Sequence, residues 1–136
     1  MGSSCKAGEE MTIRNPKAFI NGIWDWAVLD GCFGTTRISP TDVDGLVERN
    51  GCFLFLEAKP NGGKLPQGQG ITLLQLSRQP RTVGLVFYGD PQVQTISRIT
   101  RFYNGTVLEQ TNPSLEMLRK LVAKWYAWAN KQPKVD

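Results

Sequence analysis

Four charged side chains flank the dipeptide Asn50-Gly51, and their types suit the binding of a metal ion. Asp42 and Asp44 precede the dipeptide, and Glu57 and Lys59 follow it. Asn-Gly between two apolar runs is the strongest short-range signal for a two-residue hairpin turn. With this dipeptide as the turn, the residue numbers of every opposed pair sum to 101.

This register predicts which of the charged residues face one another. Asp44 falls opposite Glu57, and Asp42 falls opposite Lys59. Because side chains alternate faces along a strand, all four project from one face, near the end away from the turn. Directly opposed residues have Cβ atoms about 4.5–5.5 Å apart, so two carboxylates can share one magnesium ion. Without a cation, Asp44 and Glu57 would repel each other, so a metal or Lys59 must offset their charge.

The simpler alternative is an exposed hairpin with an ion pair between Asp42 and Lys59, worth a few tenths of a kcal/mol. Apolar residues on both faces of the hairpin count against it. Leu46, Phe53 and Phe55 share the acidic face, while Val43, Val47, Leu54 and Leu56 lie on the other. A strand pair of this kind is normally covered on both sides, and charges at its end are costly unless they have a function.

The elements that must position these residues follow from periodicity and from turn signals. Apolar residues at helical spacing predict helices over residues 15–31, 67–79 and 114–130. Strands are predicted over residues 41–49, 52–59, 83–88, 93–103 and 106–109, with Asn104-Gly105 as a second hairpin turn. The order is α/β in class, and residues 1–136 are expected to form one domain, with residues 1–13 poorly ordered.

Composition removes several reaction classes. The chain has no histidine, which excludes Ser-His-Asp and Cys-His hydrolysis and histidine-ligated zinc. Its three cysteines show no paired spacing, so neither a disulfide framework nor a zinc site is expected, and a reducing cytoplasm fits best. No apolar run is long enough to cross a membrane, and the net charge of +4 favours an anionic partner.

Two motifs resemble the signature of the PD-(D/E)XK nucleases. The run Pro40-Thr41-Asp42-Val43-Asp44-Gly45 precedes the hairpin turn and Glu57-Ala58-Lys59 follows it, although Pro40 is displaced from the usual Pro-Asp pair. The following Gly68-Gln69 is similar to the glutamine that opens the next helix in several branches. A longer run within residues 19–88 resembles small, mostly uncharacterised phage and prophage members of this superfamily.

The resemblance implies a restriction-endonuclease-like core, in which a central mixed sheet carries a catalytic hairpin and is flanked by helices. It implies that Asp44 and Glu57 bind the metal, with the backbone carbonyl of Ala58 completing the coordination. Lys59 would orient the attacking water and stabilise charge on the phosphate, and Gln69 would be a positioning residue. Asp42 would be supporting. Many members also place a glutamate on the first helix, where this chain offers only Asp25 or Asp30.

The expected activity is cleavage of DNA by a phage-associated endonuclease that uses Mg²⁺ or Mn²⁺ in the host cytoplasm. Candidate phosphate contacts are Lys64, Arg78 and Arg81, with Arg98 and Arg101 as further cations, although each can equally be an ordinary solvated charge. Structure-specific, resolvase-like cleavage and a homodimer remain open. The rival functions are a catalytically inactive DNA-binding module of the same fold and a phage protein that binds a host protein.

Overall fold

A computed structural model of the chain describes residues 22–135, which fall into two compact units. The first unit ends at Pro40 and the second begins at Thr41. In the first unit a 3₁₀ helix spans Trp26–Leu29, and the Asp25 carboxylate caps it by accepting a hydrogen bond of 2.9 Å from the Ala27 N–H.

The helix predicted over residues 15–31 is wrong in its described part, because residues 22–25 are not helical. Residues 15–21 of that prediction, and residues 1–13 with their predicted disorder, lie outside the described part of the chain. Tertiary packing of an apolar face supplies most of a helix's stability in a protein. Ile23, Trp24 and Val28 are all exposed, so their helical spacing is not supported by burial.

The second unit is built on a five-stranded mixed sheet with two α-helices, which confirms the predicted α/β class. Its elements in chain order are β1 (Gly45–Arg49), β2 (Cys52–Pro60), α1 (Gln67–Ser77), β3 (Thr82–Asp90), β4 (Thr95–Tyr103), β5 (Thr106–Glu109) and α2 (Leu115–Ala129). The strands lie side by side in sequence order, β1-β2-β3-β4-β5. The pair β2 and β3 is parallel, and the other three pairs are antiparallel.

Both Asn-Gly dipeptides form the predicted hairpin turns. Asn50 and Gly51 have φ angles of 52° and 77°, and Asn104 and Gly105 have φ angles of 52° and 74°. Two successive residues with positive φ are typical of the type I′ turn, whose twist matches that of the flanking strands. The register between β1 and β2 is confirmed, since Arg49 pairs with Cys52 and Gly45 pairs with Leu56.

Helix α1 connects the parallel strands β2 and β3 and covers one face of the sheet. A parallel pair requires such a crossover, because a tight turn cannot return the chain to the same end. Leu73 of α1 belongs to a core cluster with Val86, Tyr88 and Phe102, against which Phe55, Leu65 and Leu74 pack. The predicted helix over residues 67–79 is therefore confirmed, ending two residues earlier, at Ser77.

Helix α2 covers the opposite face. Ser114 caps its first turn by accepting a hydrogen bond of 2.9 Å from the Met117 N–H, and the helix predicted over residues 114–130 is confirmed. Trp125 and Ala129 pack on Cys52, Leu54, Leu85 and Ile99, which form the other core cluster. Since side chains alternate along each strand, the two helices lie on opposite faces of one sheet. Neither α1 nor α2 is long and apolar enough to span a bilayer, nor is any other helix within residues 22–135.

Burial of the first hairpin is uneven, which corrects the expectation that both of its strands are covered. Leu54 of β2 is fully buried, whereas Val43, Leu46, Val47 and Phe53 are exposed. Strand β1 lies at the edge of the sheet, beyond β2. The burial argument for a functional site therefore applies to Glu57 and Lys59 of β2, which are mostly buried, and not to β1.

The end of β3 beside the candidate site contains a β-bulge, and Gly89 is its most constrained residue. The register between β3 and β4 shifts between Tyr88 and Gly89. A Cβ atom at position 89 would overlap the carbonyl oxygen of Thr95. Only glycine allows the two backbones to approach this closely.

We therefore expect Gly89→Ala to lower the free energy of unfolding by about 1–3 kcal/mol or more, because backbone must move to admit the methyl group. Urea unfolding followed by tryptophan fluorescence measures this change. Gly68→Ala is the matched control, since a Cβ there meets nothing within 4 Å. Its methyl group lies in a helix, so the control should stabilise the fold by roughly 0.5–1 kcal/mol. Equal stabilities of the two variants would contradict this account of the bulge.

Candidate functional site

Glu57 and Lys59 lie on the face of β2 that α1 covers, close to the C-terminal end of the strand. They are two residues apart, so the alternation of side chains puts them on one face. Their side chains are mostly buried, with 12% of Glu57 and 15% of Lys59 exposed. The ammonium nitrogen of Lys59 lies 3.4 Å from Oε2 of Glu57. The predicted neighbourhood of these two groups is therefore present in the fold.

Gln69, in the first turn of α1, links both side chains. Its Oε1 accepts a hydrogen bond of 2.6 Å from Lys59 Nζ, and its Nε2 donates one of 3.2 Å to Glu57 Oε2. A side-chain amide can satisfy both partners because it carries an acceptor and a donor on the same group. These hydrogen bonds link α1 to β2, and the positioning role of Gln69 stays a prediction.

Asp44 lies immediately before β1, at the open end of the hairpin. Pairing between β1 and β2 ends at Gly45, and the expected pairings of Asp44 with Glu57 and Asp42 with Lys59 are not part of the ladder. Instead, Oδ2 of Asp44 accepts a hydrogen bond of 2.9 Å from the Ala58 N–H. The carboxylate takes the place of a backbone acceptor for the Ala58 N–H, which explains why the pairing of β1 with β2 ends at Gly45.

Oxygen atoms suited to a hard cation are available along this edge. Alternate residues of an antiparallel strand direct both backbone groups to the same neighbour, so the Ala58 carbonyl lies on the edge that its N–H shares with Asp44. Oδ1 of Asp44 and Oε1 of Glu57 have no hydrogen-bond partner within residues 22–135. Two carboxylates and a carbonyl are the donor types that Mg²⁺ prefers. The residues present therefore fit the implied metal.

The number of carboxylates is smaller than the sequence pattern suggested. Among the described residues, no group of three or more His, Cys, Asp or Glu side chains is arranged to hold a metal ion. Asp42 lines a cavity of about 90 Å³ together with Glu57 and Gln69, so it lies near the site, and its supporting role stays a prediction. Asp25 belongs to the first unit, where it caps the 3₁₀ helix, and its supporting role stays a prediction.

The cations proposed to contact nucleic acid are dispersed. Lys64 is exposed in the loop between β2 and α1. Arg81 precedes β3, and its Nη1 donates to the carbonyl oxygens of Asn50 and Pro133, each at 3.1 Å. Its neighbour Thr82 pairs with Phe53, six residues from Lys59. At about 3.3 Å per residue, this is roughly 20 Å from the site. Arg78, at the C-terminus of α1, is likewise at the far end of the helix from Gln69.

A second polar group, formed by Arg98, Glu109, Thr100 and Tyr88, lies on the same face of the sheet. This group was not predicted from the sequence. Nε of Arg98 donates a hydrogen bond of 2.7 Å to Oε1 of Glu109, and the Thr100 hydroxyl donates one of 2.6 Å to Oε2. The Arg98 guanidinium also lies over the Tyr88 ring, 4.9 Å from its centroid. The second Asn-Gly turn already implies one pairing in this group. With residues 104 and 105 as the turn, the register places Thr100 opposite Glu109.

The hydrogen bond from Arg98 lowers the pKa of the Glu109 carboxyl, with Thr100 assisting and desolvation opposing. We expect Arg98→Met to raise this pKa towards its ordinary value, as NMR titration of the carboxyl would detect. A depressed carboxyl pKa contributes stability above the unfolded-state pKa, and this is lost as pH falls through the folded-state value. The stability difference between wild type and variant should therefore disappear in acid.

This difference should amount to only a few tenths of a kcal/mol at neutral pH, because both side chains are about half exposed. Arg119→Met, which removes an exposed cation from α2, is the matched control and should leave the Glu109 titration unchanged. The same Glu109 pKa in wild type and in Arg98→Met would contradict the assigned cause.

Comparison of the chain with protein-family models, with curated proteins and with solved structures gives no match. The similarity to PD-(D/E)XK nucleases therefore rests on the motif residues themselves. Four of these residues, namely Asp44, Glu57, Lys59 and Gln69, gather around one end of β2. Function has to be argued from what this group of side chains can do.

Proposed function

We propose that this chain is a metal-dependent nuclease that hydrolyses phosphodiester bonds of DNA. The observation that carries the proposal is the hydrogen-bonded group of Glu57, Lys59 and Gln69, with Asp44 bound to the adjacent Ala58 amide. We further propose that the fold is a restriction-endonuclease-like core. The hairpin that leads into the parallel pair of β2 and β3, with a helix on each face of the sheet, supports this assignment.

Phosphodiester hydrolysis sets three requirements for the site. A water oxygen must lose a proton and attack phosphorus in line with the leaving oxygen, and charge that builds on the phosphoryl oxygens must be neutralised. The new P–O bond replaces one ester bond, and the leaving oxygen takes up a proton. The products are a phosphate end and a hydroxyl end. Side chains that carry oxygen ligands and a fixed cation meet these requirements without histidine.

Asp44, Glu57 and the Ala58 carbonyl would hold the metal. When bound, a divalent ion supplies Lewis acidity at the phosphate and lowers the pKa of its water. Glu57 is mostly buried, which limits competition from bulk water at its carboxylate. Asp44 is exposed, and its Oδ1 has no partner among residues 22–135, so this oxygen can bind an incoming ion while Oδ2 keeps its hydrogen bond to Ala58.

Lys59 would stabilise negative charge on the phosphate and orient the attacking water. Its ammonium group is held by Gln69 and Glu57 and is mostly buried, so its position is fixed before substrate arrives. A preorganised cation acts where charge develops and needs little reorganisation during the reaction. Gln69 is the positioning residue in this scheme, because it acts through Lys59 and Glu57.

The proposed substrate is DNA, and the proposed ion is Mg²⁺ or Mn²⁺. The net charge of +4 favours a polyanion, and the exposed Lys64 extends the basic character of the loop after β2. Association with phage is part of the same proposal and rests on the resemblance alone. A homodimer is also proposed, because a chain of 136 residues would more easily address two strands as a pair. The smaller number of carboxylates favours one further candidate function, a DNA-binding module of this fold without cleavage.

We expect Lys59→Met to reduce cleavage at least about 100-fold, because it removes the cation while keeping the length of the buried side chain. The assay uses linear, circular, single-stranded and four-way DNA with Mg²⁺ or Mn²⁺. Asp44→Asn and Glu57→Gln should cause losses of similar size. Lys120→Met, which removes an exposed lysine from α2, is the matched control and should cleave like wild type. Wild-type cleavage by Lys59→Met in matched metal would overturn the proposal.

Metal titration separates the nuclease from the inactive module. Calorimetry of the nuclease should detect Mn²⁺ binding that weakens roughly tenfold or more in Asp44→Asn, because one charged oxygen ligand is lost. The variant keeps an acceptor for the Ala58 N–H, so the fold around it should persist. Binding of DNA by a protein that neither binds Mn²⁺ nor cleaves any substrate would identify the module instead.

A further inference from the structure

Lys59, Tyr88 and Arg98 form a row of side chains across three neighbouring strands of the sheet. Lys59 pairs with Tyr88 on β3, and Tyr88 pairs with Arg98 on β4. Paired residues project to the same face, so all three side chains share the face that α1 covers. Neighbouring strands lie about 4.8 Å apart, which puts the Cα atoms of Lys59 and Arg98 about 10 Å from each other.

The Arg98 guanidinium is fixed in position without using its outer donors. Nε is bonded to Glu109 at 2.7 Å, and the group stacks on Tyr88, which is only 4% exposed. Glu109 is in turn held by Thr100, another buried residue, at 2.6 Å. Neither Nη1 nor Nη2 has a hydrogen-bond partner within residues 22–135. The side chain remains 55% exposed.

Such an arrangement is suited to an anion with two or more oxygens. A guanidinium presents its donors as a rigid planar fork that matches phosphate, and stacking on an aromatic ring lowers the entropy lost when it binds. As an ion pair alone, Arg98 and Glu109 would contribute little to folding, because both side chains are about half exposed. The buried Tyr88 nevertheless holds Arg98, and the buried Thr100 holds Glu109, which is more support than a solvated surface pair requires.

We propose that Arg98, anchored by Tyr88 and Glu109, binds a second phosphate of the nucleic-acid strand whose scissile phosphate lies at Lys59. This inference rests on the proposed function for the identity of the first phosphate. A Cα separation of about 10 Å suits a phosphate about one or two nucleotides along the strand, because neighbouring phosphates lie farther apart than the axial rise of about 3.4 Å per nucleotide. The bound strand then runs across β2, β3 and β4, at a large angle to them.

Fluorescence anisotropy with the full chain tests this directly. The probes are a labelled single-stranded oligonucleotide and a labelled duplex, with Ca²⁺ replacing Mg²⁺ so that cleavage does not interfere. We expect Arg98→Ala to raise Kd about tenfold or more and to reduce the slope of log K against log salt by about 1. Arg98→Lys should keep the slope but recover only part of the affinity, because a point charge replaces the fork.

Two matched variants exclude trivial explanations. Arg119→Ala removes the same charge from α2, on the other face of the sheet, and should stay within about twofold of wild type. Glu109→Gln keeps an acceptor for Arg98 but removes a negative charge from the binding surface, so affinity should be retained or increased. Thermal unfolding of each variant should stay close to wild type, which separates binding from folding.

The possible outcomes distinguish this inference from the proposed function. If wild type cleaves DNA and Arg98→Ala matches Arg119→Ala in Kd and salt slope, the second phosphate site is wrong and the nuclease stands. If wild type does not cleave but Arg98→Ala alone loses affinity and slope, phosphate binding at Arg98 stands and the hydrolytic function is wrong. Wild type that neither binds nor cleaves either probe would overturn both.

Discussion

The register of β2 is the constraint on which the candidate site depends. This strand is hydrogen-bonded to β1 along one edge and to β3 along the other, and its two faces contact different core clusters. A slip of one residue would turn every side chain to the opposite face. Leu54 would leave the core under α2, where it is fully buried, and Glu57 would enter it. The burial of Leu54 therefore holds Glu57 and Lys59 beneath α1.

Local signals in the sequence predicted much of this fold, because they act within a few residues. Asn50-Gly51 and Asn104-Gly105 can adopt positive φ at two successive positions, which fixed both hairpins and their registers. Ser114 marked the start of α2 in the same local way. The parallel pairing of β2 with β3 has no such signal, since it depends on α1 packing across the sheet. The described part of the helix predicted over residues 15–31 failed for a related reason, because apolar spacing alone does not guarantee burial.

In the candidate site, too, the features set by local spacing were predictable from the sequence, and those set by tertiary structure were not. The proximity of Glu57 and Lys59 follows from their spacing of two on a strand, which any register of that strand preserves. The position of Asp44 does not follow from spacing, because a strand pair ends where a side-chain acceptor replaces a backbone acceptor. Here the Asp44 carboxylate accepts the hydrogen bond from the Ala58 N–H. The alignment of Lys59 with Tyr88 and Arg98 likewise depends on the position of β3 between β2 and β4, which no local signal indicates.

Partial burial of Glu57 and Lys59 is difficult to explain by stability alone. Removing two charges from water costs several kcal/mol per ion in a fully buried setting, and apolar side chains of similar volume are often as stable or more so. Gln69 offsets part of this cost by hydrogen-bonding both groups. With apolar residues at positions 57 and 59, no such hydrogen bonds would be needed. The ion pair of Arg98 and Glu109 on this face is about half exposed, so it loses less hydration than Glu57 and Lys59 do. The C-terminal end of β2 is therefore the position where two charged side chains are largely removed from water, at a cost in stability that folding alone does not explain.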